Sequence, residues 1–284
     1  MKNFMHAVLF LVAAFCAAWW VAGQSNVSSV AGPRIPRYAA YAPRPVNSVV
    51  TRAWEPGDSK LVDLLTARGV DSTFVRSIFS NPRLSIDTAV VRILTVPRGK
   101  KASYSFLFTD SSIADGKAFL KAHRSTLDSL RIAYGISPPV IAAVVRIETD
   151  FGRFLGRHTV VNALYTMYRV SPRRRAMAVR ELACFFLLAR EREIDPFAVE
   201  SSWAGAFGIS QFMPCSLSYA VDGNGDETID LFDLRDAMAS IANYLRAHGW
   251  SSLRASQLRA LRAYNRGPYA GAVMAYAEKI SNAR

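Results

Sequence analysis

The sequence predicts a mostly helical domain of the α+β kind, with a small loop and hairpin region near its centre. Three observations carry this. From Lys60 onward, segment after segment repeats its apolar residues at helical spacing. The stretch 195–232 interrupts that pattern with glycine, proline and aspartate. A hydrophobic content of 51% over 284 residues allows a buried core and excludes disorder throughout.

The first element is a targeting segment. Lys2 supplies a short basic start, and Ala7 to Ala22 is almost wholly apolar. That is short for a membrane span and long enough for the core of an export signal. Val21-Ala22-Gly23 offers small residues for cleavage before Gln24. Residues 1–23 are read as a signal peptide or, if uncleaved, an N-terminal membrane anchor. Phe15 before Cys16 does not suit a lipoprotein signal. Residues 24–58 are rich in Ser, Pro, Val and Arg, lack a helical period and read as a tether.

The domain proper is 59–284. Helices are expected over about 60–68, 72–79, 112–135, 138–151, 176–193, 233–248 and 257–282. Residues 88–108 alternate more and are expected to hold a short extended stretch. No internal repeat is visible.

The helix at 138–151 raises a chemical question. Pro138-Pro139 suits a helix start. Val140, Ile141, Val144 and Val145 form one apolar face, and Glu148 continues it. A carboxyl group on that face loses water, which favours its neutral form and raises its pKa. A general acid working near neutral pH needs that property. The competing reading is a structural glutamate that reaches water or pairs with Arg146 or Arg153.

Export leaves Cys184 and Cys215, too few for a disulfide scaffold. Cys184 reads as a buried helix residue and Cys215 as a loop residue after Pro214; the sequence leaves their pairing open. No Cys/His spacing suggests zinc. The formal charge of +13 favours an anionic surface or polymer as partner. Arg173-Arg174-Arg175 is the densest basic run, but no nucleic-acid-binding signature accompanies it.

The loop-rich centre contains "SSWAGAFGISQFMP" (201–214), where Gly205 and Gly208 permit close backbone approach. Trp203, Phe207 and Phe212 offer flat faces for sugar rings. Near the C-terminus, "RAYNRGPY" (262–269) places Tyr264-Asn265 before a Gly-Pro turn. Each piece alone reads as a turn over a packed core.

In this order the pieces resemble the lytic murein transglycosylases. Glu-Thr-x-aromatic-Gly at 148–152, Gly-x-x-Gln-x-Met-Pro at 208–214 and Ala-Tyr-Asn at 263–265 look like that superfamily's three motifs. "SPRRRAMAVRELACFFLLARE" (171–191), "WAGAFGISQFMP" (203–214) and "IANYLRAHGW" (241–250) resemble the membrane-bound B family more specifically. The resemblance covers 115–284 well and 60–114 loosely. It implies a lysozyme-like fold and non-hydrolytic cleavage of the MurNAc–GlcNAc β-1,4 bond of peptidoglycan, leaving a 1,6-anhydromuramic end. Glu148 becomes the single general acid and base. Ser202, Gln211 and Asn265 become polar contacts near the scissile sugars, and Tyr244 and Tyr264 cleft residues. The implied partner is the glycan strand, met in the periplasm or cell envelope by a monomer, with membrane association through the N-terminal segment and no nucleic acid.

"DGNGDETIDLFDLRD" (222–236) reads like an EF-hand calcium loop, with oxygen donors from Asp222, Asn224, Asp226 and the Thr228 carbonyl. Glu227 stands where glycine is usual, and Asp233 at position 12 is shorter than the usual glutamate. The B family's longer loop closes on position 15, which makes Asp236 the expected last ligand and Asp233 the second choice. Calcium is the expected structural cofactor; no organic cofactor is expected.

The chain departs from the family pattern after "HGW". Only "SSLRASQLRALRA" (251–263) intervenes where the family carries an extra small domain. The Tyr-Asn turn is also one residue shorter before Tyr269, so that residue has no assigned place. Competing readings are a muramidase acting on the same bond with water, an inactive calcium-stabilised wall-binding protein, and a basic nucleic-acid binder.

Overall fold

In a computed structural model of the chain, the described residues are 52–95 and 103–281. The targeting segment, most of the tether and residues 96–102 lie outside them. Eleven α-helices of the described residues build two cores. The first comprises α1 (Asp58–Thr66), α2 (Ser72–Phe79), α3 (Thr88–Thr95), α7 (Val160–Val170) and α8 (Arg175–Glu191). The second comprises α4 (Asp110–Ala122), α5 (Arg124–Tyr134), α6 (Pro138–Thr149), α9 (Leu234–Ala247), α10 (Arg254–Tyr264) and α11 (Tyr269–Ser281).

Helix α6 forms the axis of the second core. Its prolines occupy the first turn, where a missing N–H costs nothing. Val140 to Val145 are all buried, so the helix is enclosed on every side and packs against α4, α5, α9 and α11. It ends abruptly because Asp150 and Phe151 both take left-handed backbone, with φ of 51° and 58°. The Phe151 ring then stacks on Phe119 at 4.6 Å.

The expected hairpin is small. Strand β1 (His158–Thr159) pairs antiparallel with β2 (Glu200–Ser201), His158 opposite Ser201. Gly156 makes this possible: its φ is 115°, and a Cβ there would lie 2.1 Å from the Ser201 carbonyl oxygen. His158 Nδ1 meets Asp87 Oδ2 at 2.6 Å, while Asp87 Oδ1 accepts the N–H groups of Ala89 and Val90 at the start of α3.

Several expectations need correction. Residues 88–95 are helical rather than extended, because Asp87 caps them and Val90 is buried. Residues 105–108 form a 3-10 turn. Helix 112–135 is two helices broken at His123, and helix 257–282 is two helices separated by a turn containing Gly267 and Pro268. Helix α7 escapes the sequence pattern because eight of its eleven residues are buried, leaving no polar face to reveal its period.

Residues 52–57 bond to the domain. Arg52 and Arg169 meet the fully buried Asp58 at 2.8 and 3.0 Å, and the Tyr165 hydroxyl donates to it at 2.8 Å. Burial first, and Asp58 second, push the Tyr165 phenol up to about 12. Among the described residues no single helix is long and apolar enough to cross a membrane.

Cys184 and Cys215 form a disulfide that ties the end of the 201–214 loop to α8 across 31 residues of sequence. Replacing both with serine is expected to lower stability by about 3–4 kcal/mol, the closure entropy of such a loop. Urea denaturation of the oxidised protein beside the double variant measures this.

Candidate active site

Glu148 lies in the last turn of α6. Its side chain is part-buried, and its Oε1 is buried without a hydrogen-bond partner. The arginines that the sequence offers as partners are engaged elsewhere. Arg146 pairs with Asp150, and Arg153 reaches Asp115 at 3.3 Å and Asp150 at 3.4 Å. With no cation beside it, burial pushes the Glu148 carboxyl up to about 7; the Tyr269 phenol acts in the opposite direction. No second carboxylate contributes to that shift.

Tyrosines surround the acid. Tyr269 is fully buried beside it, and its Oη also lacks a hydrogen-bond partner. Tyr264 stacks on Tyr269 with ring centroids 6.0 Å apart, and Tyr104 meets Tyr269 edge-on at 6.4 Å. Burial, reinforced by Glu148, raises the pKa of all three phenols. They therefore stay protonated and able to donate.

The 201–214 loop lies between the two cores. Phe207 and Phe212 enter the first and Ile209 the second. The expectation that Phe207 and Phe212 present faces to sugars is thus corrected; both are core residues. Trp203 is part-buried and carries the Arg174 guanidinium 5.2 Å above its ring. Thr149 Oγ1 donates to the Ile209 carbonyl at 3.1 Å, joining the residue after Glu148 to the loop. The Tyr264 hydroxyl donates to the Ser210 carbonyl at 2.5 Å. Gly208 turns the loop with φ of 72°, where a Cβ would lie 2.5 Å from the Leu231 Cβ.

Of the expected residues, Tyr264 lies close enough to Glu148 for its carboxylate to raise the phenol's pKa. Gln211 adopts a left-handed φ of 49°, and its Nε2 donates to Leu155 and Gly208 carbonyls at 3.2 and 3.0 Å. Ser202 Oγ accepts the Ala206 N–H at 3.2 Å. Asn265 is exposed at the end of α10. Tyr244 stands behind Tyr264 at 4.9 Å, stacked on His248 at 4.0 Å, and its hydroxyl donates to the Ala263 carbonyl. None of these hydrogen bonds reaches Glu148. The sequence reading misses Tyr104 and Ser210 and leaves Tyr269 unplaced. Ser210 lies inside the quoted loop motif, and its buried Oγ is unpartnered.

The acidic loop is held by its own carboxylates. Asp222 accepts the N–H groups of Asn224, Gly225 and Glu227. Asn224 Oδ1 accepts from Asp226, and Asp226 Oδ1 from Thr228. Asp233 caps α9 by accepting from Arg235 and Asp236. Asp236 is fully buried and accepts from Gly223, Asn224 and Asp230. Burial first, then the nearby Asp233 and Asp222, raise its pKa despite those bonds. The donors are all oxygens, the ligand chemistry of a hard cation such as calcium. Among the described residues, no group of three or more acidic, histidine or cysteine side chains is gathered to hold a metal ion.

Residues 55–278 match the family described as Transglycosylase SLT domain. The chain belongs to this family. A 165-residue stretch of this SLT chain is 38% identical to membrane-bound lytic murein transglycosylase B of Escherichia coli (strain K12), covering 57% of this chain and 46% of that protein. The match thus spans less than half of the relative's length. Its fold is similar to that of the crystal structure of soluble lytic transglycosylase SltB1 from Pseudomonas aeruginosa, with a TM-score of 0.72 and 25% identity over 80% of this chain and 98% of that one. It is similar also to Escherichia coli lytic transglycosylase Slt35 in complex with calcium, with a TM-score of 0.70 and 24% identity over 82% and 96% of the two chains. The mostly helical, lysozyme-like fold expected from the sequence is borne out.

The raised carboxyl of Glu148 has a stability cost with a definite sign. Below about pH 4.5 it is neutral whether the chain is folded or unfolded. Above that, the unfolded chain ionises first, so stability falls until the pH passes about 7. Glu148→Gln removes the penalty. The variant is expected to be more stable than the parent by about 1–3 kcal/mol at pH 8, with the gap closing toward pH 4. Thermal melts across that range test it.

Proposed function

We propose that this SLT-family chain is a peptidoglycan lytic transglycosylase that cleaves the MurNAc–GlcNAc β-1,4 bond without water. The observation that carries the reading is the unpartnered Oε1 of Glu148, kept free of cations at the end of a buried helix. Such a group costs stability in a folded protein and is retained where chemistry uses it.

The steps balance with one carboxyl group. Glu148, protonated, gives its proton to the glycosidic oxygen as the bond from that oxygen to the muramic C1 breaks. The substrate's own N-acetyl oxygen stabilises the positive C1. The Glu148 carboxylate then takes the proton of the muramic C6 hydroxyl as O6 bonds to C1. The anhydro ring closes and the enzyme returns to its starting state. Hydrolysis by two carboxylates needs a second one across the bond. Asp150, the nearest carboxylate in sequence, is instead tied to Arg146 and Arg153. An intramolecular hydroxyl has the advantage of high effective molarity. Tyr264 and Tyr269 shape the wall beside the acid, and Ser202, Gln211, Asn265 and Tyr244 complete the cleft.

Calcium fits the loop as a structural ion, held by Asp222, Asn224, Asp226, the Thr228 carbonyl and Asp236; it would neutralise their charge and fix the approach to α9. Asp233 is left to its capping role. Residues 1–23 would direct export to the periplasm or envelope, or anchor the chain there. Residues 24–51 would tether a monomeric domain that begins at Arg52 rather than at 59, because 52–58 are bonded to it. The disulfide suits an oxidising compartment.

Three measurements test this reading. Peptidoglycan digested by the protein is expected to release muropeptides lighter by one water than hydrolytic products, seen by mass spectrometry and absent with Glu148→Gln. Products carrying the added water would establish a muramidase instead. The rate is expected to fall as pH rises through about 7, where Glu148 loses its proton. Calcium is expected to raise the melting temperature, an effect lost in Asp226→Ala, whose side chain is exposed.

A further inference from the structure

Away from the cleft, the described residues form a pocket of about 400 Å³ where α4, α5, the start of α6 and the end of α11 meet. Its floor is apolar, built from Leu120, Leu127, Pro138, Pro139 and Ile280. Its rim carries three cations and one carboxylate: Lys117 and Lys121 stand one helical turn apart on α4, Arg124 begins α5, and Asp128 lies beyond it. Neither lysine has an ion-pair partner among the described residues, and Arg124 reaches only the half-exposed Asp128, at 3.7 Å. The volume lies within the range of small-ligand sites, about 300–1,000 Å³.

We infer that this pocket binds an anionic phospholipid, with the phosphate at Lys117, Lys121 and Arg124 and the first acyl carbons on the apolar floor. Charge complementarity selects the head group. The floor selects the acyl chain attached to it, because Leu120, Pro138 and Pro139 remain part-exposed around the pocket and a free phosphate would leave them uncovered. The full chain, with a net charge of +13, is drawn toward an anionic leaflet. The pocket's position gives the contact a use. Pro138 and Glu148 lie ten residues apart on α6, about 15 Å along its axis. A lipid held at the Pro138 end turns the Glu148 end away from the bilayer, toward the wall. The inference rests on the envelope location proposed above; its test reads lipid contact rather than turnover, so the two can fail separately.

The test uses the full chain mixed with phosphatidylcholine nanodiscs, with or without phosphatidylglycerol. Acetylation rates of individual lysines are followed by mass spectrometry, with the exposed Lys60 of α1 as reference. Phosphatidylglycerol is expected to slow Lys117 and Lys121 about fivefold or more and Lys60 little. Ser281→Trp, which fills the pocket from an exposed rim position, is expected to remove that protection and leave peptidoglycan cleavage unchanged. Equal rates with both lipids would overturn the inference. So would equal slowing of Lys60, which reports general attraction, or protection that survives Ser281→Trp. Protection reproduced by inorganic phosphate alone would make this a bare anion site and overturn the lipid.

Discussion

The ion pair between Arg146 and Asp150 sets the terms for everything around it. It occupies the one cation on α6, which lies two residues from Glu148 and so on another face of the helix. It also holds Asp150 in left-handed backbone, which stops α6 one residue after Glu148, at Thr149. Thr149 is thereby placed to bond Ile209, and Phe151 to stack on Phe119. The end of α6 is thus fixed by a contact that does not involve Glu148 itself.

The two cores divide the work. One holds α6, and the other holds the helices that receive Phe207 and Phe212. The loop between them belongs to both, so the acid and the loop motif are positioned by separate bodies of packing. Glu148 Oε1, Ser210 Oγ and Tyr269 Oη are the described buried side-chain oxygens without partners, and all three belong to this one neighbourhood. Elsewhere among the described residues buried polar groups are satisfied, as with Asp58 and Asp236. Unmet hydrogen bonding concentrated in one place is what a polar substrate would complete.

How much the sequence reveals depends on how each signal arises. Helix α6 is legible because prolines mark its start and its apolar face runs directly into Glu148. Helix α7 is not, because it is buried nearly all round. Helix α3 depends on a cap from Asp87 and a partner in His158 far along the chain, and neither shows in local periodicity. At the site, spacing places Glu148 on an apolar helix face, whereas Tyr264 comes only from the resemblance to the family. The sequence misleads at Phe207 and Phe212, since an aromatic ring in a glycine-rich loop looks the same in sequence whether it faces a ligand or a core. A one-residue change in the preceding turn hides the place of Tyr269, yet the start of α11 brings it beside the acid. Tyr104 precedes a 3-10 turn too short to carry a periodic signal.

The turn from Asn265 to Pro268 is the one stretch of the site that stays exposed throughout. Its neighbours are fixed: α6 is enclosed, the 201–214 loop is bonded at Thr149 and closed off by a disulfide, and Tyr264 and Tyr269 are pinned on either side. On the proposed reading, this bare turn is the part of the site's wall that can yield to a ligand without disturbing the packing that holds Glu148.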